Sequence, residues 1–252
     1  MKLTDILYAG ALALLLLGIS ALDAHAADTA CTTSPPVPHG GNWDANEPFP
    51  PEWTPIIPDQ TEALKTLTEA KIKSLIKHKP KSFALLQKIE ESSTLPEGTL
   101  RTKWLIESLA GERNIRNKAG YEGNFQVGDY EAKRYKIKNR KNLKDSALGV
   151  VRLLKHYSEL SDIPLDSVWN AYNLHQQGFT GAAMMRKAVH TNYLRADVKR
   201  NMLNNIPKHI KKTLYNAKGE LKLTDAELST EFMTVWSTEV NRINQIVLST
   251  SN

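Results

Sequence analysis

One acid, Glu107, closes the run Leu95-Pro96-Glu97-Gly98-Thr99-Leu100-Arg101-Thr102-Lys103-Trp104-Leu105-Ile106-Glu107-Ser108, and its neighbours give it chemistry to do. With Pro96 at the first helical position, where a missing N–H costs nothing, this run reads as a helix. Leu100, Trp104 and Glu107 then fall at i, i+4 and i+7 and share one face. A carboxyl among large apolar side chains is desolvated, and desolvation favours its protonated form. An acid that keeps its proton at neutral pH can protonate a leaving oxygen. The competing reading leaves Glu107 at a helix end, facing water.

Two further pieces could complete a site. Ala119-Gly120-Tyr121-Glu122-Gly123-Asn124-Phe125-Gln126 spaces two glycines three apart, as in a loop or short hairpin whose backbone approaches a ligand closely. Gln126 both donates and accepts, which suits sugar hydroxyls or an N-acetyl group. Farther on, Ala171-Tyr172-Asn173 lies on a helix that carries Val168 and Trp169 and ends near His175-Gln176-Gln177-Gly178.

The order LPEG…ES, AGYEGNFQ…AKRY, DSALGVVRLL and AYN…G resembles the lysozyme-like lytic transglycosylases. These are the soluble lytic transglycosylases, related to goose-type lysozymes and to phage wall-penetrating domains. The likeness rests on Glu107-Ser108, Gly120, Gly123, Phe125-Gln126 and Ala171-Tyr172-Asn173, and covers roughly residues 94–190. It departs at Asn124, where the family usually has Leu. It departs again after Asn173, where Leu174-His175-Gln176-Gln177 replaces a small Ala-Gly and resembles phage-type members.

The resemblance implies a mainly α, lysozyme-like catalytic domain with a small hairpin or loop at the cleft and extra helices at both ends. It also implies cleavage of the MurNAc-GlcNAc β-1,4 bond of peptidoglycan with formation of 1,6-anhydromuramoyl ends. Glu107 would be the sole acid and base, and Ser108, Gln126, Tyr172 and Asn173 would bind the sugar. No cofactor or metal enters that chemistry. Two alternatives stay open. A second carboxylate, Glu122 or Asp129, facing Glu107 would make a hydrolytic muramidase, since two-carboxyl glycosidases activate water or form a covalent intermediate. A noncatalytic glycan-binding envelope scaffold is the other. On the enzyme reading Glu107 should face an open cleft shared with Gln126 and Tyr172, whereas a buried, salt-bridged Glu107 would support the scaffold.

Around these residues the chain divides into four stretches. Residues 1–26 carry Lys2, an apolar run and Ala24-His25-Ala26, and read as a secretory signal peptide, with an uncleaved anchor as the alternative. Residues 27–59 are proline-dense and read as a linker. Residues 60–205 form the catalytic domain, with buttressing helices over Gln60–Lys77 and Ser82–Glu91. Residues 206–252 form a C-terminal helical extension, opened by the capping box Thr224-Asp225-Ala226-Glu227 and given an apolar face by Leu228, Phe232, Val235, Trp236 and Val240. Between them, Tyr130–Tyr135 resumes a helical pattern. Asp145 is placed to cap a helix over Ser146–Tyr157 with Leu148, Val151 and either Leu154 or the Lys155 stem inward. Thr191–Asn205 reads as a helix with Tyr193, Val198 and Met202 partly buried.

The formal net charge of +6 is concentrated in Lys133, Arg134, Lys136, Lys138, Arg140, Lys141 and Lys144. Such a strip fits nucleic acid by charge alone, but no nucleic-acid motif accompanies it, and an exported chain meets the periplasm or cell envelope instead. The partners expected are peptidoglycan glycan strands and, as an open alternative, a secretion, conjugation or other envelope-spanning apparatus. His156, His175, His190 and His209 are scattered without metal-ligand spacing, and the lone Cys31 excludes an internal disulfide framework.

Overall fold

A computed structural model of the chain describes residues 64–117, 120–207, 211 and 214–250. The signal peptide and proline-rich linker read from the sequence lie outside these residues. Among the described residues the protein is mainly α-helical, and β pairing is confined to two isolated bridges, Glu122 with Val127 and Tyr215 with Leu221. No helix among them is long and apolar enough to cross a membrane.

Helix α1 (Glu69–His78) opens on Thr68, whose hydroxyl accepts from the Lys71 N–H; residues 64–66 are also helical, so the stretch read from Gln60 is interrupted at Leu67 and Thr68. Helix α2 (Pro80–Glu91) uses Pro80 in its first turn. Helix α3 (Thr99–Ser108) carries Glu107 but does not begin at Leu95. Pro96 belongs to the preceding turn, where its carbonyl accepts from the Thr99 N–H (3.1 Å) and hydroxyl (2.7 Å). The N-cap is Gly98 at φ 84°, which has no side chain with which to cap.

Glu90 of α2 supplies the missing cap. Its carboxylate accepts from the Gly98 N–H (3.0 Å) and the Arg101 N–H (2.9 Å), and pairs with Arg101 Nε at 2.9 Å. Both side chains are buried. Burial pushes the Glu90 carboxyl up, opposed by the Arg101 charge and the two backbone donors. An acid at a helix N-terminus also complements the helix dipole. The arrangement pins α3 axially, and with it the position of Glu107.

Helix α4 (Asp129–Arg134) follows the glycine loop. Helix α5 (Leu143–Ser161) is capped by Asn142 rather than Asp145. The Asn142 side chain accepts from the Asp145 N–H at 3.0 Å, and Asp145 instead accepts from the Asn139 N–H at 2.6 Å. The buried stripe is therefore Ala147, Val150, Leu153, Leu154 and Tyr157, while Leu148, expected inside, is 37% exposed.

Helix α6 (Val168–Thr191) breaks at Gly178, whose φ of 68° and ψ of 170° no helix contains. Helix α7 (Ala196–Asn204) begins five residues after the predicted Thr191, because the chain first turns at Asn192 (φ 51°) and ties its Leu194 N–H to Asp225 at 2.8 Å. Val198 and Met202 are buried as expected, but Tyr193 stands on that turn and is 63% exposed.

Helix α8 (Asp225–Thr250) starts on the predicted capping box, with Glu227 accepting from the Thr224 N–H (2.8 Å) and Thr224 accepting from the Glu227 N–H (3.2 Å). Leu228, Phe232, Trp236 and Val240 are buried and Val235 is half-buried. The helix runs antiparallel to α6: the Ala226 N–H meets Asn192 at the end of α6, and Trp236 stacks on Tyr172 near its start.

Helix α3 packs against α2, α6 and α8. Every residue from Thr99 to Ile106 is consequently buried, Arg101 and Lys103 included. A helix enclosed on all sides has no solvent face, so even its polar side chains must find partners inside.

Candidate active site

Helix α3 ends abruptly after Glu107-Ser108. Leu109, Ala110 and Gly111 are all left-handed, at φ 49°, 54° and 84°. Two of these are not glycine, and such strain is commonly stored beside functional groups. The Ser108 hydroxyl holds the turn together, donating to the Asn124 carbonyl (2.8 Å) and accepting from the Gly111 N–H (3.0 Å). Ser108 is thus buried and committed to the chain itself rather than presented to a ligand.

The Glu107 side chain is 2% exposed. It is hydrogen-bonded to the Tyr172 hydroxyl, and its Oε1 lies 3.9 Å from His175 Nε2. Lys103, one turn back on α3, acts on it through charge. The open cleft expected around Glu107 is therefore not its setting here: the carboxyl is enclosed, with Tyr172 and His175 of α6 against it. The surface depressions at Asn139, Asn142, Lys144, Asp145 and Leu148, and at His78 to Ser82, involve none of these residues.

Burial, the Glu107 charge and the hydrogen bond to Glu107 push the Tyr172 phenol well above its ordinary value, so it remains a neutral donor. Its ring has Trp236 at 5.5 Å and the Lys103 ammonium at 5.4 Å from the centroid. Burial and the Lys103 charge hold the His175 imidazole well below its usual range, against the Phe125 carbonyl 3.0 Å away. A carbonyl only accepts, so Nε2 carries the proton of a neutral His175. Burial lowers the Lys103 amine to about 7, against the opposing pull of Glu107.

The expected small hairpin is a tight turn, Gly123 to Gln126, closed by the Glu122–Val127 bridge. Gly123 needs to be glycine: at φ 86°, a Cβ there would lie 2.1 Å from the Arg140 carbonyl oxygen. Asn124, the first departure from the family pattern, has a structural use. Its Oδ1 accepts from Trp104 Nε1 (2.9 Å) and its Nδ2 donates to the Lys141 carbonyl (2.9 Å), clamping the loop to α3. His175, in the second departure, reaches the adjacent Phe125 carbonyl, so both departures converge on one loop.

Gln126, at φ 45°, turns its amide back on the loop, donating to the Gly123 carbonyl at 3.0 Å and accepting from Asn117 at 3.4 Å. It braces the loop and does not join Glu107. Asn173 is fully buried, with both amide atoms lacking a hydrogen-bond partner. Of the predicted sugar-binding residues, Tyr172 alone is hydrogen-bonded to the acid.

The candidate second carboxylates are engaged elsewhere. Glu122 pairs with Arg140 (2.9 Å) and Lys141 (3.1 Å), and Asp129 with Arg116 and, at 2.8 Å, Arg140. The hydrogen bond from Arg116 holds the Asp129 carboxyl below its usual value. These pairs, with Arg134 on Tyr130 and His156, absorb part of the basic strip.

Three residues that the sequence did not single out share this region. Lys103 is one. Tyr121 and Glu131 are the others: burial first, then the charges of Glu131 and Glu107, push the Tyr121 phenol up. Burial likewise raises the Glu131 carboxyl. An i−4 spacing from Glu107 could have drawn notice to Lys103; Glu131 carries no local signal. Among the described residues no cluster of His, Cys, Asp or Glu is arranged to hold a metal.

Fold and site together define a mainly α-helical protein whose core encloses a carboxyl, an amine, a phenol and a neutral imidazole. No family model, no curated protein and no solved structure matches the chain.

Proposed function

We propose that the protein is an exported, lysozyme-like peptidoglycan lytic transglycosylase with Glu107 as its acid and base. The observation that carries this reading is the Glu107 carboxyl at the strained end of α3, hydrogen-bonded to Tyr172 and set beside the glycine loop. Protonated Glu107 gives its proton to the glycosidic oxygen as the bond to the muramoyl anomeric carbon breaks. The muramoyl 6-hydroxyl oxygen then bonds to that carbon, and its proton passes to the Glu107 carboxylate. The proton count of the protein returns to its starting value, and no water is consumed. Neutral Tyr172 is suited to donate to the carboxylate between the two transfers. Substrate must first displace the side chains that cover Glu107.

One observation favours a second reading, a noncatalytic glycan-binding scaffold: the Glu107 side chain is 2% exposed and faces a buried lysine. Mass spectrometry of soluble muropeptides released from purified peptidoglycan, by wild type and Glu107→Gln in parallel, separates the readings. Anhydromuramoyl ends from wild type alone are expected. Reducing muramoyl ends would replace the transglycosylase with a muramidase and make Glu131 the carboxyl to replace next. Silence from both proteins with wall binding intact would establish the scaffold.

A further inference from the structure

Lys103 is the group whose placement the proposed reaction leaves unexplained. Its side chain is fully buried, its Nζ has no hydrogen-bond partner, and it lies on the helix that presents Glu107. A buried ammonium without such a partner is costly, several kcal/mol on the order of magnitude seen for desolvated ions. A methionine or leucine would fill the space without that cost, so the amine needs a role that its charge performs.

The groups facing it are few. On α3 itself there is Glu107, one turn on. From α6 come the Tyr172 ring at 5.4 Å and His175, whose imidazole responds to the Lys103 charge and stays neutral. From α2 Glu90 reaches α3, but it is spent on Arg101 and two backbone N–H groups. From α8 the residue against Tyr172 is Trp236, which has no charge. The Glu107 charge also acts on the Tyr121 phenol, as do Glu131 and Tyr157. Among the described residues Glu107 is thus the anion whose charge acts on Lys103.

We infer that Lys103 is a positioning residue for Glu107: the two side chains, enclosed together on α3 beside Tyr172 and His175, titrate as one unit, and the charge on Lys103 decides whether Glu107 is held as acid or as carboxylate. An ammonium favours the carboxylate and a neutral amine favours the acid. The reaction needs both forms in turn, the acid as the glycosidic bond breaks and the carboxylate as the 6-hydroxyl closes. Lys103 changes its own charge at about 7, where both forms of the pair are within reach. The catalytic consequence rests on the reading of Glu107 as the acid; the coupling itself does not.

The test is an NMR titration of the mature protein, following the Glu107 carboxyl carbon and the Lys103 amine nitrogen. Lys103→Met is expected to move the Glu107 midpoint up, and Lys103→Arg, whose charge is permanent, to move it down. By reciprocity Glu107→Gln is expected to lower the Lys103 midpoint below about 7. Shifts of the same sign from Met and Arg, or none, would overturn the inference, since loss of packing does not depend on the sign of a charge. Where Lys103→Arg does not fold, an unmoved Lys103 midpoint in Glu107→Gln overturns it alone. The pH optimum of muropeptide release is expected to follow the Glu107 midpoint in Lys103→Met. A wild type that releases nothing refutes the transglycosylase while leaving the titrations to decide the coupling.

Discussion

Replacing Lys103 with methionine should change how stability depends on pH, by an amount the structure sets. The amine titrates at about 7 in the folded protein against an ordinary value of 10.5. Below about 7 it is protonated in both folded and unfolded chains and contributes no slope. Between those values the unfolded chain holds one more proton, so stability rises with pH by about 1.4 kcal/mol per unit. Above 10.5 the slope vanishes again. From about pH 7.5 to 9.5 wild type should therefore gain about 3 kcal/mol that Lys103→Met does not. The buried phenols do not interfere in that window: Tyr121, Tyr157 and Tyr172 are all raised above 10.0, so their contribution is lost only as pH rises past that value. Urea unfolding at several pH values reads the difference directly, as midpoints that separate while the denaturant slope stays the same. Parallel pH dependences for the two proteins across that window would refute the placement of Lys103 as a buried, desolvated amine.

Three further outcomes follow from packing. Gly123→Ala must fit a Cβ 2.1 Å from the Arg140 carbonyl at φ 86° and should cost about 3 kcal/mol or more in thermal unfolding; a neutral substitution would disprove the turn. Ser108→Ala should destabilise by about 1–3 kcal/mol in urea, because the Asn124 carbonyl and Gly111 N–H lose a partner; unchanged stability would return Ser108 to a ligand-binding role. Trp236→Ala should lose about 3–5 kcal/mol, since the ring is fully buried against Tyr172 and its N–H reaches the Asn205 carbonyl at 2.8 Å; an intact melting temperature would show that α8 is not part of the core.

Several features were legible in the chain because short-range physics decides them. The capping box at Thr224 and Glu227 forms as read, since both its hydrogen bonds close within one helical turn. The helix carrying Ala171-Tyr172-Asn173 and its break at Gly178 follow from spacing and from the freedom of glycine, although helix resumes beyond that break to Thr191. Element starts were misplaced where a distant residue substitutes for a local signal. Pro96 marked α3 too early because its real cap, Glu90, comes from another helix. Asp145 looked like a cap because its type is right, but Asn142 three residues earlier holds that place.

The sequence by itself determined the helical class and the place of Glu107 on the last turn of its helix, because residue type and a period of about 3.6 settle what lies along one helix. The pairing of Tyr172 with that acid was implied by the resemblance alone. Only the tertiary structure decided what each face meets. Helix α3 is surrounded by α2, α6 and α8, and this enclosure turns Lys103 into a buried partner of Glu107 and covers the carboxyl. It also spends Ser108 and Gln126 on the chain's own turns and ties Glu122 and Asp129 to arginines. Periodicity along one helix carries no record of the helices packed around it, and burial, which sets the charge of Lys103, depends on all of them at once.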